Sequence, residues 1–308
     1  MRVPPVLPGV ALVVGLGLIG GSLAALMRAS GFAGEVRGFD SDAATRARAL
    51  ELGLVDSVSP VLAEALSGVG LVVVAVPTLA VESVLSAVRE HAPRGVFITD
   101  VASVKGSVLD AARRVFGELP AGLVPGHPIA GSERSGVEAA SPGLFRDHRV
   151  ILTPHEGSAE QALDCVRQLW TLAGASVVCM GAHEHDRLLA FTSHLPHALA
   201  FTLVNVLSRQ DASEDIFRFA AGGFRDFTRI ASSDPVMWRD ISLANRSALL
   251  DAIDEFAKGL SELRGAVEFS DGERLHAAFS AANGVRGRYL QTLVTAAHDP
   301  SAEPGEGA

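Results

Sequence analysis

Val10-Ala11-Leu12-Val13-Val14-Gly15-Leu16-Gly17-Leu18-Ile19-Gly20 decides how the N-terminal half of the chain reads. Val10–Val14 is a short apolar, β-rich run, and an apolar helical stretch follows the glycines to about Ala29. A second strand, Val36–Phe39, ends at Asp40. Strand, tight glycine turn, helix and a distant acid together make the dinucleotide-binding fingerprint. Gly15 permits the turn, Gly17 lets backbone approach a pyrophosphate, and Gly20 lets helix and strand pack closely. The pyrophosphate is expected on backbone N–H groups at the helix N-terminus, with Leu16, Leu18 and Ile19 in the same cradle. Asp40 stands 20 residues beyond Gly20, where a carboxylate accepts from ribose hydroxyls and repels a 2′-phosphate. NAD is therefore expected over NADP. The bland alternative is a glycine-rich turn with Asp40 as a helix cap.

The same segment resembles a membrane span, because Gly9–Met27 carries one charge-free apolar run. Its five glycines argue against that. The chain has 308 residues, 48% of them hydrophobic and 20% charged, which is globular composition with room for two domains. Net charge is -9 and no Lys/Arg run occurs, so nucleic acid is not an expected partner. Two cysteines, Cys165 and Cys179, form neither a disulfide framework nor a zinc motif, and a cytoplasmic location fits.

Outward from the glycine loop, strands and helices alternate. Leu71–Val76 is continuously apolar, as in a buried parallel strand, and its end (Val76, Pro77) joins the expected cofactor-binding set. Further strands are expected at 96–99, 122–125, 149–152 and 176–179, with helices at 81–88, 159–172 and after Gly106. This is a Rossmann-type, doubly wound α/β sheet, expected to be parallel and to occupy residues 1–180. From about 181 to 298 only helices are expected, including 188–207, 236–263 and 274–297. Asp234-Pro235 reads as a helix start, with Asp as N-cap and Pro at the first position. Residues 299–308 read as a disordered tail, and no internal repeat is visible.

Four polar groups stand out. Gly126–Gly136 (GHPIAGSERSG) reads as a punctuated loop after a strand, with His127 able to exchange a proton near neutrality. The bland role for His127 is to cap the turn. Ser103, after the 96–99 strand, either bonds His127 or a substrate hydroxyl, or caps the next helix. His194 and His197 share a helix face three residues apart, near His183 and His185; substrate hydrogen bonding, packing or metal ligation are the options. No HExxH-like pattern completes a metal set, so no metal is expected. Arg225 and Arg229 lie four apart among Phe224, Phe227 and Trp238, suggesting partly desolvated guanidiniums for a carboxylate; a solvated face paired with Asp226 is the alternative.

With these blocks in view (Gly15–Gly20, Ser103–Gly106, Gly126–Gly136, Ser193–His197 and Gly222–Trp238), the chain resembles the prephenate/arogenate dehydrogenases of tyrosine biosynthesis over about residues 10–295. Ser132–Gly136 looks most like the broad-specificity cyclohexadienyl dehydrogenases. The resemblance implies NAD-dependent oxidative decarboxylation, with hydride leaving ring C4, and an all-α C-terminal domain that makes a homodimer. It implies that His127 is the base for the C4 hydroxyl and that Ser103 orients it. It implies that Arg229 binds the ring carboxylate, His197 and His194 lie near the substrate, Glu133 and Asp226 form a gating ionic network, and Trp238 lines the site. Arg225 stands where some members carry lysine, which bears on side-chain selectivity. No fused chorismate mutase or regulatory ACT domain is expected. The rivals are an amino-deoxyprephenate dehydrogenase, a non-catalytic NAD sensor, and a hydroxy-acid or imine-reducing dehydrogenase. The sensor is disfavoured because His127, Ser103 and Arg229 are all present, and the last because no lysine lies between Lys105 and Lys258.

Overall fold

The structure is a computed structural model and describes residues 7–131 and 134–298. It divides into two compact units, 1–250 and 251–308. The change from strands to helices expected at 180/181 thus falls inside the first unit.

The first unit begins with a parallel sheet in the order β3-β2-β1-β4-β5. Its strands are β1 (Val10–Val14), β2 (Glu35–Phe39), β3 (Ser57–Val58), β4 (Leu71–Val74) and β5 (Phe97–Asp100). Helices α1 (Leu18–Ser30), α2 (Ala43–Glu51), α3 (Leu62–Ala65), α4 (Val81–His91) and α5 (Lys105–Phe116) connect and cover them. Side chains alternate along each strand, so Ala11, Val13, Leu71 and Val73 enter one core and Leu12, Val14, Val72 and Val74 the other. Leu23 and Met27 of α1 close the first core, and Val84, Leu85, Val108 and Ala112 of α4 and α5 close the second. Both faces are dry, which is why these strands read as unbroken apolar runs.

The glycine loop follows β1 at the switch between β1 and β4. Gly15 has φ +96°, and a Cβ there would fall on the Ala75 carbonyl. A Cβ on Gly20 would fall on the Gly15 carbonyl. Side chains are excluded at both positions by backbone contact, as the sequence reading required.

Three more strands, β6 (Gly126–Ile129), β7 (Arg149–Leu152) and β8 (Ser176–Cys179), follow, with α6 (Glu160–Leu172) between the last two. A fully parallel sheet was expected, but β6 and β7 are antiparallel, with His127 opposite Ile151. The reason is the connection: its described residues hold only a 3₁₀ turn at Val137–Ala139, and a parallel return needs a full crossover. The regular strand also starts later than expected. Leu123 makes a parallel bridge to Ile98 of β5, and the ladder with β7 spans Gly126–Ile129. His127 therefore sits in a strand, not on the loop after it. That strand runs on past the carboxyl end of β5, where the Gly126 amide reaches Asp100 Oδ1 at 3.3 Å. Pro128 is tolerated because β6 is the edge of its three-stranded ladder.

Beyond β8 only helices are described: α7 (Ala182–Leu189), α8 (Leu195–Ser208), α9 (Ser213–Arg218), α10 (Gly222–Thr228), α11 (Pro235–Ala244), α12 (Arg246–Glu268) and α13 (Gly272–His298). A π turn at Ala190–His194 joins α7 to α8. Pro196, lacking an N–H, cannot bond back to Thr192, which eases that widening of the helix. Asp234 caps α11 by accepting from the Met237 amide at 2.7 Å, with Pro235 at the first position, as expected. The helix expected over 236–263 is broken at Asn245, whose amide side chain is engaged elsewhere. The second compact unit comprises residues 251–268 of α12 together with α13.

Candidate active site

Gly17 differs from the other two loop glycines. Its Cβ position meets nothing within 4 Å, so the backbone at the start of α1 is open to a close ligand. No side chain caps this helix. Bare amides at an uncapped N-terminus are the chemistry a pyrophosphate needs. Asp40, just past β2, accepts from the Leu16 amide at 2.8 Å through Oδ2 and from the Asp42 amide at 3.0 Å through Oδ1. The acid read as a ribose ligand thus also fixes the glycine loop. Val76 is half-buried beside Gly15 and Pro77 is exposed. These residues fit a nicotinamide dinucleotide.

The second half of the site is assembled around Lys105 and Asp186. Lys105 begins α5 and is fully buried; its Nζ pairs with Asp100 Oδ2 and donates to the Gly126 carbonyl at 2.6 Å. It therefore ties the end of β5 to β6. Burial pulls the Lys105 ammonium below its ordinary value, opposed by the Asp100 and Asp186 carboxylates. The α5 N-terminus is capped from 81 residues away: Asp186 accepts from the Lys105 amide at 2.8 Å and the Gly106 amide at 2.7 Å. Ser103 is thus not the cap, and its hydroxyl makes no hydrogen bond to His127 among the described residues.

His127 instead places Nδ1 2.9 Å from Nε2 of His185, and His185 Nδ1 lies 2.8 Å from Asp186 Oδ1. His185 is fully buried, whereas His183, noted beside it as a metal option, is exposed. Desolvation holds the His127 pKa well below 6.5, the Lys105 charge lowers it further, and protonation of His185 or His194 would add to the effect. The His127 imidazole is therefore held neutral at physiological pH.

The wall continues through Asn245. Its amide nitrogen donates to the Asp186 carbonyl at 2.8 Å, which fixes its orientation, and lies 3.0 Å from His194 Nδ1. His194 Nδ1 must then accept, so the proton resides on Nε2. That Nε2–H is buried and has no protein partner among the described residues. Burial, more than any neighbour, depresses His194 to about 4, so it is neutral. Next, Trp238 stacks on His197 at 3.6 Å and 19°, with His194 edge-on at 6.1 Å. His197 is held by the Ser193 carbonyl at 2.9 Å. Its pKa is lowered chiefly by desolvation, and the Arg229 charge lowers it further. The structure thus brings His127, His194, His197 and Trp238 into one connected wall with Arg229 beside it.

The remaining expectations fare less well. Arg229 is exposed, and the Arg225 and Asp226 side chains are 83% and 82% exposed and 3.9 Å apart. The surrounding aromatics do not desolvate these groups: Phe227 is exposed, and Phe224 packs on Phe217. Helical spacing placed Arg225 near Arg229 but carries no information on burial. Glu133 lies outside the described residues. From sequence, Lys105, Asp186 and Asn245 have no role in the site, and His185 has only a place beside the histidine pair as part of a metal option. The one available signal was a lysine five residues after a strand-end aspartate, Asp100.

A dinucleotide cradle after β1 and a half-buried neutral histidine on β6, beyond the carboxyl end of β5, define an NAD-dependent dehydrogenase. Comparison with known proteins is specific about which kind. Residues 23–179 match the family described as prephenate dehydrogenase, nucleotide-binding domain, and residues 181–281 match prephenate dehydrogenase, dimerization domain. The chain belongs to the prephenate dehydrogenase family. It is 38% identical to the cyclohexadienyl dehydrogenase of Zymomonas mobilis, over 89% of this chain and 94% of that protein. It is 39% identical to the prephenate dehydrogenase of Bacillus subtilis, over 89% of this chain and 74% of that protein. A crystal structure of prephenate dehydrogenase from Aquifex aeolicus with hydroxyphenyl propionate and NAD+ superposes with a TM-score of 0.85 at 34% identity, covering 91% of this chain and 98% of that one.

Proposed function

We propose that this protein catalyses the NAD-dependent oxidative decarboxylation of prephenate to 4-hydroxyphenylpyruvate, with arogenate as a second possible substrate. The supporting observation is His127: neutral, held by a buried partner and placed at the carboxyl edge that carries the glycine loop. NAD, when bound, supplies the hydride acceptor. His127 takes the proton of the C4 hydroxyl, the ring carboxylate departs as CO2, and aromatisation makes the step irreversible. Arg229 is the cation for the ring carboxylate. His194 is a hydrogen-bond donor through Nε2–H, and His197 and Trp238 form a flat wall for the ring. Ser103 meets the substrate hydroxyl or nicotinamide side, the exposed Arg225 bears on how the pyruvyl or alanyl side chain is held, and Asp226 and Glu133 are assigned to the ionic network with Arg229 that gates access. Asp40 selects NAD.

The same reading assigns residues 1–180 to dinucleotide binding and 181–298 to the substrate and to dimerisation, in keeping with the family boundary at 179/181. The assembly is a homodimer. Phe256, Leu260, Val267, Phe269 and Phe279 on the second unit are exposed apolar side chains that a second copy would cover. No described helix is long and apolar enough to cross a membrane. Two unpaired cysteines suit a reducing cytoplasm.

The test is NADH formation by the purified protein with prephenate and, separately, arogenate. Turnover of prephenate with NAD is expected; absence of NADH with both substrates would refute the reading. Arg229→Ala is expected to raise KM for prephenate by about 10- to 100-fold, the loss of a charge-assisted contact of roughly 1.5–3 kcal/mol. KM for NAD should hold. An unchanged prephenate KM would remove Arg229 from the anchor role.

A further inference from the structure

The histidine that acts as base must present a bare nitrogen, and nothing in its own strand decides which of its two nitrogens that is. Free imidazole side chains carry the proton on either nitrogen, and the partner of one fixes the state of the other. Here the partners form a line. The α5 N-terminus, through the Lys105 and Gly106 amides, holds the Asp186 carboxylate. Asp186 Oδ1 faces His185 Nδ1 at 2.8 Å, and His185 Nε2 faces His127 Nδ1 at 2.9 Å. A carboxylate only accepts, so His185 Nδ1 bears a proton. That proton leaves His185 Nε2 as the acceptor facing His127, which donates to it from Nδ1. His127 Nε2 is then the bare nitrogen.

We propose that Asp186 and His185 are positioning residues that set the tautomer of His127, so that Nε2 is the atom that takes the substrate proton. The inference rests on the reading of His127 as the base. It also gives the chain a reason to bury His185 fully and to spend a carboxylate of α7 on the first turn of α5. As substrate hydroxyl is deprotonated, the His127 imidazolium keeps its Nδ1–H on His185, whose own Nδ1–H rests on Asp186. The positive charge is thus met by a carboxylate two rings away without any proton leaving His127. The other groups facing His127 are Lys105 from α5 and His194 from the π turn. Lys105 is itself neutralised by Asp100, and His194 presents its donor elsewhere, so neither competes for Nδ1.

The test uses the full chain labelled with 15N-histidine. Two-bond 1H–15N correlations report which ring nitrogen is protonated, and the His127 signals are assigned by their loss in His127→Asn. In the unaltered protein His127 is expected as the Nδ1–H tautomer. In His185→Leu it should move toward Nε2–H, and kcat should fall by roughly tenfold or more, within the ~10⁴-fold that losing a tautomer-fixing partner costs in a catalytic triad. KM for NAD should stay unchanged. His185→Gln, whose carbonyl can accept from Nδ1–H, should restore most of kcat, which a purely structural role would not predict. An Nε2–H tautomer in the unaltered protein, or a folded His185→Leu with normal kcat, would overturn the proposal. Should His185→Leu not fold, the tautomer of the unaltered protein still decides it. Turnover surviving in His127→Asn would overturn the base assignment beneath it; an Nε2–H tautomer alongside an inactive His127→Asn would overturn only the relay.

Discussion

His127→Asn is expected to lower kcat by roughly 10²- to 10⁴-fold, the range for loss of a general base, with KM for NAD unchanged. Asparagine keeps a donor for His185 and roughly fills the space, so the strand and the buried chain behind it should survive. What it lacks is a nitrogen that can hold a second proton. Turnover within about threefold of the unaltered protein would remove His127 from proton transfer, since even weak general bases contribute more than that. The pH profile makes the same claim from another side. The base works only when neutral, so kcat/KM must fall as pH drops through its free-enzyme pKa. An ordinary histidine would place that fall near 6.5. Desolvation, followed by the Lys105 charge, moves it well below 6.5. Activity is therefore expected to hold from neutrality through pH 6.5 and to be lost only at distinctly more acid pH. A limb centred on 6.5 or higher would contradict the burial that the structure gives this ring.

The parts of this molecule that were legible in the sequence are those where the constraint is local. Gly15 and Gly20 could be read because each is forbidden a side chain by backbone within its own βα unit or by the adjacent strand end at Ala75. Asp234-Pro235 could be read because a cap needs only the next three residues. His127 was legible as a titratable residue in a turn-rich motif, but not as a residue of an edge strand. The antiparallel return of β7 depends on the short 3₁₀ turn that is the only helical element among the described residues of the connection, and Gly and Pro in that stretch looked like loop punctuation. The partners of His127 were not legible at all. His185 lies 58 residues away, and Asp186 meets α5 across 81. Local spacing drew attention to His194 and His197, and they do share a face toward Trp238. The same logic expected Arg225 and Arg229 to be partly desolvated, and both are exposed. Two charges four apart share a helix face whether that face is buried or wet, and here it is wet.

Lys105→Met is expected to destabilise the protein by about 3–5 kcal/mol, the cost of leaving one member of a buried ion pair uncompensated. Asp100 is 1% exposed, and after the substitution its carboxylate would retain only backbone donors, the Ala102 amide at 2.9 Å and the Gly126 amide at 3.3 Å. The Gly126 carbonyl would lose its 2.6 Å donor as well. Methionine matches the length of the lysine stem, so packing loss is a minor contributor and the effect isolates charge. Adding Asp100→Leu to Lys105→Met should recover much of the loss, because an apolar pair of similar volume is often as stable as a buried ion pair. Denaturant midpoints of the three proteins check this; a single substitution costing less than about 1 kcal/mol would mean that Asp100 had neutralised or found water, and the brace would not be ionic. A functional consequence follows from the same pair. The Lys105 charge is the next largest influence after burial on keeping His127 unprotonated. Removing it while Asp100 stays ionised raises the His127 pKa on both counts. The acid limb of kcat/KM in Lys105→Met is therefore expected at higher pH than in the unaltered protein, and the Lys105→Met/Asp100→Leu protein should fall between them. An acid limb that stays in place while stability drops would separate the two roles and confine Lys105 to holding β5 against β6.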